Sequence, residues 1–96
     1  MYDFELSLPA DFNDYEWEVT SKGCFSEAFL TVAGLRYRLN FYDAARLGQE
    51  IESAMESGVM FFEPNLVVIK KVDRVKIEEA AETLVRSAQT RFLTRE

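Results

Sequence analysis

The run Leu66-Val67-Val68-Ile69, continued by Lys70-Lys71-Val72, decides the fold because it is apolar on both faces of an extended strand. A strand with two apolar faces is typical of a buried position in a sheet. One layer of helices covers only one face, so Val67 and Ile69 need a second cover. The sequence leaves three candidates open: an aromatic loop, a helix on the other side, or another chain.

Helical patterns stand on both sides of this strand. Asp43 and Asp73 are suitable N-caps, because a short carboxylate accepts hydrogen bonds from the free N–H groups of a first helical turn. Gly58 is placed to end the first helix in a left-handed cap. Apolar residues recur at helical spacing in the first helix (Leu47, Ile51, Ala54, Met55) and in the second (Ile77, Ala80, Ala81, Leu84, Val85, Ala88).

Alternating hydrophobicity predicts the remaining strands. Phe25–Ala33 and Leu35–Tyr42 flank Gly34 and should form an antiparallel hairpin. Tyr2–Leu8 and Tyr15–Val19 alternate apolar and polar residues, as half-buried strands do. Val59–Phe62 precedes the turn residues Glu63-Pro64-Asn65, so we expect it to pair antiparallel with the Leu66 run.

These elements predict one α+β domain over residues 1–96, in the order β-β-β-β-α-β-β-α. The simplest arrangement is a mostly antiparallel sheet with two helices packed on one face. A chain of 96 residues has room for one hydrophobic core.

The composition is that of an ordinary globular domain, with 48% hydrophobic and 29% charged residues. No apolar run reaches the ~20 residues that span a bilayer, and the first residues do not resemble a signal peptide. Cys24 is the single cysteine, so no internal disulfide is possible. We therefore predict a cytoplasmic protein without membrane association.

Few residues suit catalysis. The chain has no histidine, which removes the commonest general base and the usual zinc ligand. The four glycines are isolated, so no phosphate-binding loop is present. Asp11 and Asp14 lack the spacing of a calcium loop, and Cys24 reads as a structural thiol. We predict no catalytic residue, no metal and no cofactor, and the protein is more consistent with a binding role than with an enzyme.

Charge is distributed unevenly along the chain, whose formal net charge is −6. The first 20 residues contain six acids and neither lysine nor arginine, whereas the remainder has 11 acidic and 11 basic residues. Such a field repels nucleic acid and attracts basic proteins, although it also serves solubility. On the strand prediction, the following side chains form an outward acidic surface for a basic partner: Asp3, Glu5, Asp14, Glu16, Glu18.

Two functional hypotheses follow. The first is a non-enzymatic protein-interaction domain, either immunity- or inhibitor-like with a basic protein partner, or self-associating as a homodimer through Val67 and Ile69. The alternative is a small enzyme or ligand-binding domain, with a cleft between the sheet and the first helix and with Tyr42, Asp43 and Arg46 at its mouth.

Overall fold

The computed structural model describes residues 3–96, so Tyr2 of the predicted first strand lies outside the described residues. The predicted α+β class is confirmed, and within this range the fold has four strands and three α-helices. A 3₁₀ turn, Gln89–Phe92, follows the last helix. The elements are β1 (Glu5–Ser7), α1 (Phe12–Lys22), β2 (Cys24–Val32), β3 (Leu35–Tyr42), α2 (Ala44–Glu56), β4 (Leu66–Val68) and α3 (Arg74–Arg86).

The sheet is mixed, with the strand order β1-β2-β3-β4. β1, β2 and β3 are antiparallel neighbours, and β2 with β3 forms the predicted hairpin. The predicted antiparallel partner of the Leu66 run is wrong, because β4 pairs in parallel with β3 and places Leu66 beside Asn40. The intervening α2 supplies the long crossover that a parallel return requires, whereas a tight turn permits only an antiparallel one.

The predicted strand Tyr15–Val19 is also wrong, since these residues belong to α1. Phe12 and Val19 are buried while Trp17 is 70% exposed. A strand would place Trp17 and Val19 on the same face, whereas a helix places Phe12 and Val19 on one face and Trp17 on another. Tyr15 interrupts the regular helix with φ −131° and ψ 18°. The element order therefore begins β-α-β-β rather than with four strands.

Val59–Phe62 is a connection without strand structure. Its path is fixed by contacts with β3. Phe61 packs edge-on against Tyr42 with ring centroids 6.1 Å apart, and the Asn40 side chain donates to the Pro64 carbonyl at 2.6 Å. This connection runs beside the sheet and does not extend it, which removes one of the six predicted strands.

The core lies between one face of the sheet and the pair α1 and α3. Helix α2 contributes no buried residue, so the helix layer consists of α1 and α3 and not of the two helices predicted from the sequence. The fully buried larger side chains are Phe12, Leu30, Leu39, Phe41, Val72 and Ile77.

Asn65 connects β4, β3 and the C-terminal residues. Its φ is 55°, a left-handed conformation that asparagine tolerates better than most residues. The side-chain amide donates to the carbonyls of Arg38 and Thr94, and its oxygen accepts from the Thr94 N–H at 2.7 Å. Arg95 then forms a bridge with Tyr37, so the last residues run along the same edge of β3 as β4 does.

Candidate protein-interaction surface

A group of apolar side chains on and after α2 remains exposed. Ile51 and Met55 of the helix are 40% and 56% exposed, and Val59, Met60 and Phe62 of the connection are 58%, 78% and 75% exposed. We call these five residues the α2 apolar surface. Isolated exposed apolar residues are common, whereas these five lie within twelve residues of the sequence.

The end of α2 keeps the connection close to the helix. Gly58 has φ 74°, which confirms the predicted left-handed cap. Its N–H donates to the Met55 carbonyl at 3.1 Å, and the Val59 N–H donates to the Ala54 carbonyl at 2.9 Å. This pair of bonds places Val59 beside the last turn of α2, where Met55 is also exposed.

The start of α2 is fixed to the junction of α1 and β2. Asp43 accepts from the Arg46 N–H at 2.7 Å through its side chain, as predicted for an N-cap. Its own N–H donates to the Gly23 carbonyl at 2.9 Å. Gly23 has φ 77°, and a Cβ there would lie 2.5 Å from a carboxylate oxygen of Asp43. Helix α2 is thus anchored at its first residues although none of its side chains is buried.

A pocket of about 290 Å³ lies at the end of the sheet where β2 begins and β3 ends. Cys24, Tyr42 and Glu63 line it, together with Lys22 and Glu18. The Tyr42 hydroxyl donates to Glu63 Oε2 at 2.5 Å. Burial, followed by this hydrogen bond, raises the pKa of Tyr42, so the phenol keeps its proton and acts as a donor.

The pocket offers limited chemistry. The chain has no histidine to activate the Cys24 thiol. Tyr42 holds its proton, so it is unsuited to act as a base. Over the described residues 3–96, no group of three histidine, cysteine, aspartate or glutamate side chains is arranged to hold a metal ion.

The predicted cleft residues take three different positions. Tyr42 lines the pocket, Asp43 caps α2, and the Arg46 guanidinium pairs with Glu50, with Nη2 and Oε1 2.8 Å apart. The hydrogen bond to Glu50 raises the pKa of Arg46. Glu63 was not predicted, because it is 21 residues from Tyr42 and no local pattern joins them.

The predicted acidic residues are divided between two sides of the sheet. Asp3 and Glu5 are exposed, and Glu5 of β1 alternates with Leu6, which packs on the core. Asp14, Glu16 and Glu18 belong to α1, which covers the core face. Glu16 is half-buried, and its Oε2 accepts from the Arg74 N–H at 2.8 Å, whereas Asp14 and Glu18 are exposed.

The predicted association residues Val67 and Ile69 are half-buried and pack on the core of their own chain. The other two residues of the run are the more exposed ones, Leu66 at 37% and Val68 at 48%. The second face of this strand is therefore partly open, and the pair that faces outward is Leu66 and Val68.

Comparison of the chain with protein-family models, curated proteins and solved structures gives no match. Among the helices of residues 3–96, none is both long enough and apolar enough to cross a membrane.

Proposed function

We propose that this protein is a non-enzymatic protein-interaction domain. The observation that carries the proposal is the α2 apolar surface, which exposes 40% to 78% of each of five large apolar residues. Large apolar residues exposed together along a short segment are typical of a protein-interaction site.

The α2 apolar surface does not cover the core of its own chain. The core is complete without α2, since its helix layer consists of α1 and α3. Helix α2 is nevertheless capped at both ends, by the Asp43 side chain at its start and by the backbone bonds around Gly58 after its last turn. An ordered apolar face outside the core is preorganised for a partner, because less conformational entropy is lost when the partner binds.

The acidic residues favour a basic partner and an immunity- or inhibitor-like role. Exposed acids such as Asp14 and Glu18 act at long range and increase the association rate, while the apolar surface supplies the short-range contacts. The net charge of −6 makes such association sensitive to salt.

The experiment is affinity capture from host lysate with three immobilised proteins. The wild type is compared with a double variant, Met60→Ser with Phe62→Ser, and with a matched control, Val75→Ser. Val75 is 58% exposed on α3, so it tests the loss of an apolar side chain elsewhere.

We expect the wild type and the control to retain the same protein and the double variant to lose at least about tenfold of it, because interface energy concentrates in a few large side chains. Equal retention by all three, or no retained protein, would contradict the proposal. Thermal melts of all three should agree, since the substituted residues are exposed.

A ligand-binding role is the second candidate, and the pocket beside Tyr42 favours it. A molecule that binds there should raise the melting temperature of the wild type. Tyr42→Phe should reduce that increase, because the substitution removes the hydroxyl that Glu63 orients.

A further inference from the structure

One side of β4 is an open edge of the sheet. Within residues 3–96, β4 pairs with β3 on its other side, and no strand pairs with this one. The Asn65 carbonyl and the Ile69 N–H are bonded to β3, at 3.0 and 2.9 Å. Because the N–H and C=O groups of a trans peptide unit point in opposite directions, the Leu66 N–H and the Val68 carbonyl point to the open edge. β4 thus offers backbone donors and acceptors to a further strand.

A groove of about 340 Å³ lies between β4 and α3. Val67 and Ile69 form its apolar side at the strand. Ala80 and Leu84 form the side at the helix, and all four residues are half-buried against the core. Val68 also lines the groove, so the groove reaches the open edge of β4.

Helix α3 has one apolar side for the core and an adjacent one for the groove. Ile77, Ala81 and Val85 are buried in the core. Ala80 and Leu84 each lie three residues after a member of this group, which rotates them by about 60° around the helix axis. The sheet covers this second side only in part, and an extended segment beside β4 would contact it.

We propose that the groove binds an extended peptide segment of another protein, which adds to β4 as a fifth strand. Strand addition to an exposed sheet edge is a general mode of peptide recognition, in which backbone bonds give affinity and side-chain pockets give specificity. The peptide bonds to the backbone of Leu66 and Val68, and its side chains on the helix side are apolar and contact Ala80 and Leu84. This site is separate from the α2 apolar surface and goes beyond the proposed function.

The charges at the groove favour an acidic residue at one end of the peptide. Lys76 is paired with Glu79, with Nζ and Oε1 3.3 Å apart. Lys70 also lines the groove, is exposed, and has no ion-pair partner in the described part of the chain. A carboxylate beside Lys70 would therefore meet an uncompensated positive charge.

The position of Lys70 also sets the order of residues in the peptide. Antiparallel strands pair slightly more stably than parallel ones, so the peptide runs opposite to β4. Lys70 follows β4 in the chain, and the acidic residue of the peptide must then precede the apolar ones. The expected segment is an aspartate or glutamate followed by apolar residues at alternate positions.

Selection from random peptides of about twelve residues, displayed on phage, tests this pattern against the immobilised wild type. We expect the enriched peptides to share an acidic residue followed by alternating apolar residues. The absence of enriched peptides would overturn the inference, as would enriched peptides without this pattern.

Fluorescence titration of the best selected peptide tests the backbone contact. Val68→Pro removes an N–H that points to the open edge and is not bonded to β3, so it should weaken binding at least about tenfold. The matched control, Val68→Thr, keeps the N–H and should bind within about threefold of the wild type. Equal binding by the proline variant and the wild type would contradict strand addition.

Charge variants test the end of the peptide. Lys70→Glu should weaken binding at least about tenfold, and a peptide whose acidic residue is replaced by lysine should recover that loss. The matched control is Lys22→Glu, which makes the same change in net charge at an exposed lysine outside the groove. Equal effects of the two variants would show that net charge, and not a contact with Lys70, attracts the peptide.

Hydrogen exchange of the wild type needs no variant and is measured by NMR with saturating peptide. The Leu66 and Val68 amides should exchange at least about tenfold more slowly when the peptide is bound, because a new strand accepts their N–H groups. The Ile51 amide of α2 should not change. Unchanged exchange at Leu66 and Val68 would overturn the inference. It would leave the proposed function standing if lysate capture still depends on Met60 and Phe62.

Discussion

Glu16 belongs to α1 but supports the start of α3. Its Oε2 accepts from the N–H of Arg74, the first residue of α3, at 2.8 Å. A carboxylate at a helix N-terminus satisfies a free N–H group and interacts favourably with the helix dipole. Its neighbour Glu18 is exposed and lies at the rim of the pocket. Two acids that look alike in the sequence therefore have different tasks.

Charge reversal separates these tasks. Glu16→Lys should lower the free energy of unfolding by about 1–2 kcal/mol, because it removes a charge-assisted hydrogen bond and puts a cation at the wrong end of a helix. Glu18→Lys is the matched control and should change it by less than about 0.5 kcal/mol. Urea denaturation gives both values, and equal effects would show that the contact with Arg74 adds no stability.

Residue-level contacts could be predicted only where they are local. Asp43 and Asp73 cap helices by accepting the N–H groups of Arg46 and Lys76, three residues further on, and the sequence predicted both. The contact of Glu16 spans 58 residues, and no spacing rule reaches so far. The sequence therefore predicted a surface acid where the structure has a second support for α3.

The packing of elements depends on the close approach of Gly23 and Asp43, where α1 ends, β2 begins and α2 starts. Gly23 has a positive φ and leaves no room for a Cβ beside the Asp43 carboxylate. Gly34, in the β2–β3 turn, has a similar φ of 79°, but a Cβ there meets no atom within 4 Å. The two glycines thus differ in surroundings and not in backbone conformation.

Substituting each glycine by alanine should isolate the close approach. Gly34→Ala should lower the free energy of unfolding by about 1 kcal/mol from backbone strain alone. Gly23→Ala should cost about 1–3 kcal/mol more, because Asp43 must also move and its cap on α2 is disturbed. Circular dichroism melts supply the comparison, and equal losses would mean that Asp43 shifts without cost.

The helix α1 shows why one element was predicted wrongly. Tyr15, Trp17 and Val19 alternate with acids over five residues, a stretch too short to distinguish a strand from a helix. The helical pattern becomes visible only when Phe12 is included, since Phe12, Tyr15 and Val19 share a face that packs together. Phe12 follows Pro9 closely, and a proline in the sequence is typical of a turn or loop.

Over the whole molecule, the strands differ in how firmly they are held in the sheet. β2 and β3 are long strands joined by a short turn, whereas β4 is three residues long and reaches β3 only after α2. The hairpin was predictable because its partners adjoin in sequence, as were α2 and α3 from their period and caps. The position of β4 depends on the path of the connection after α2. That connection has no regular spacing of apolar residues from which its path could be predicted.

This imbalance predicts the pattern of hydrogen exchange. Amides of β2 and β3 should exchange only through global unfolding, while those of α2 and β4 should exchange at least about tenfold faster through local opening. Mass spectrometry of deuterated peptides at low protein concentration measures both. Uniform rates across the four elements would contradict this expectation.

The edge of β3 that carries β4 has a further consequence for aggregation. Along this edge, the backbone groups of Arg36, Arg38, Asn40 and Tyr42 are bonded in turn by the Glu96 N–H, the Asn65 side chain, the Asn65 carbonyl and the Ile69 N–H. An open edge of this length would offer a template for strand addition by other molecules. Asn65 and the last residues thus protect this edge of β3 from pairing with other molecules. A chain cut after Leu93 would expose the part of β3 around Arg36 and should aggregate more readily by strand addition.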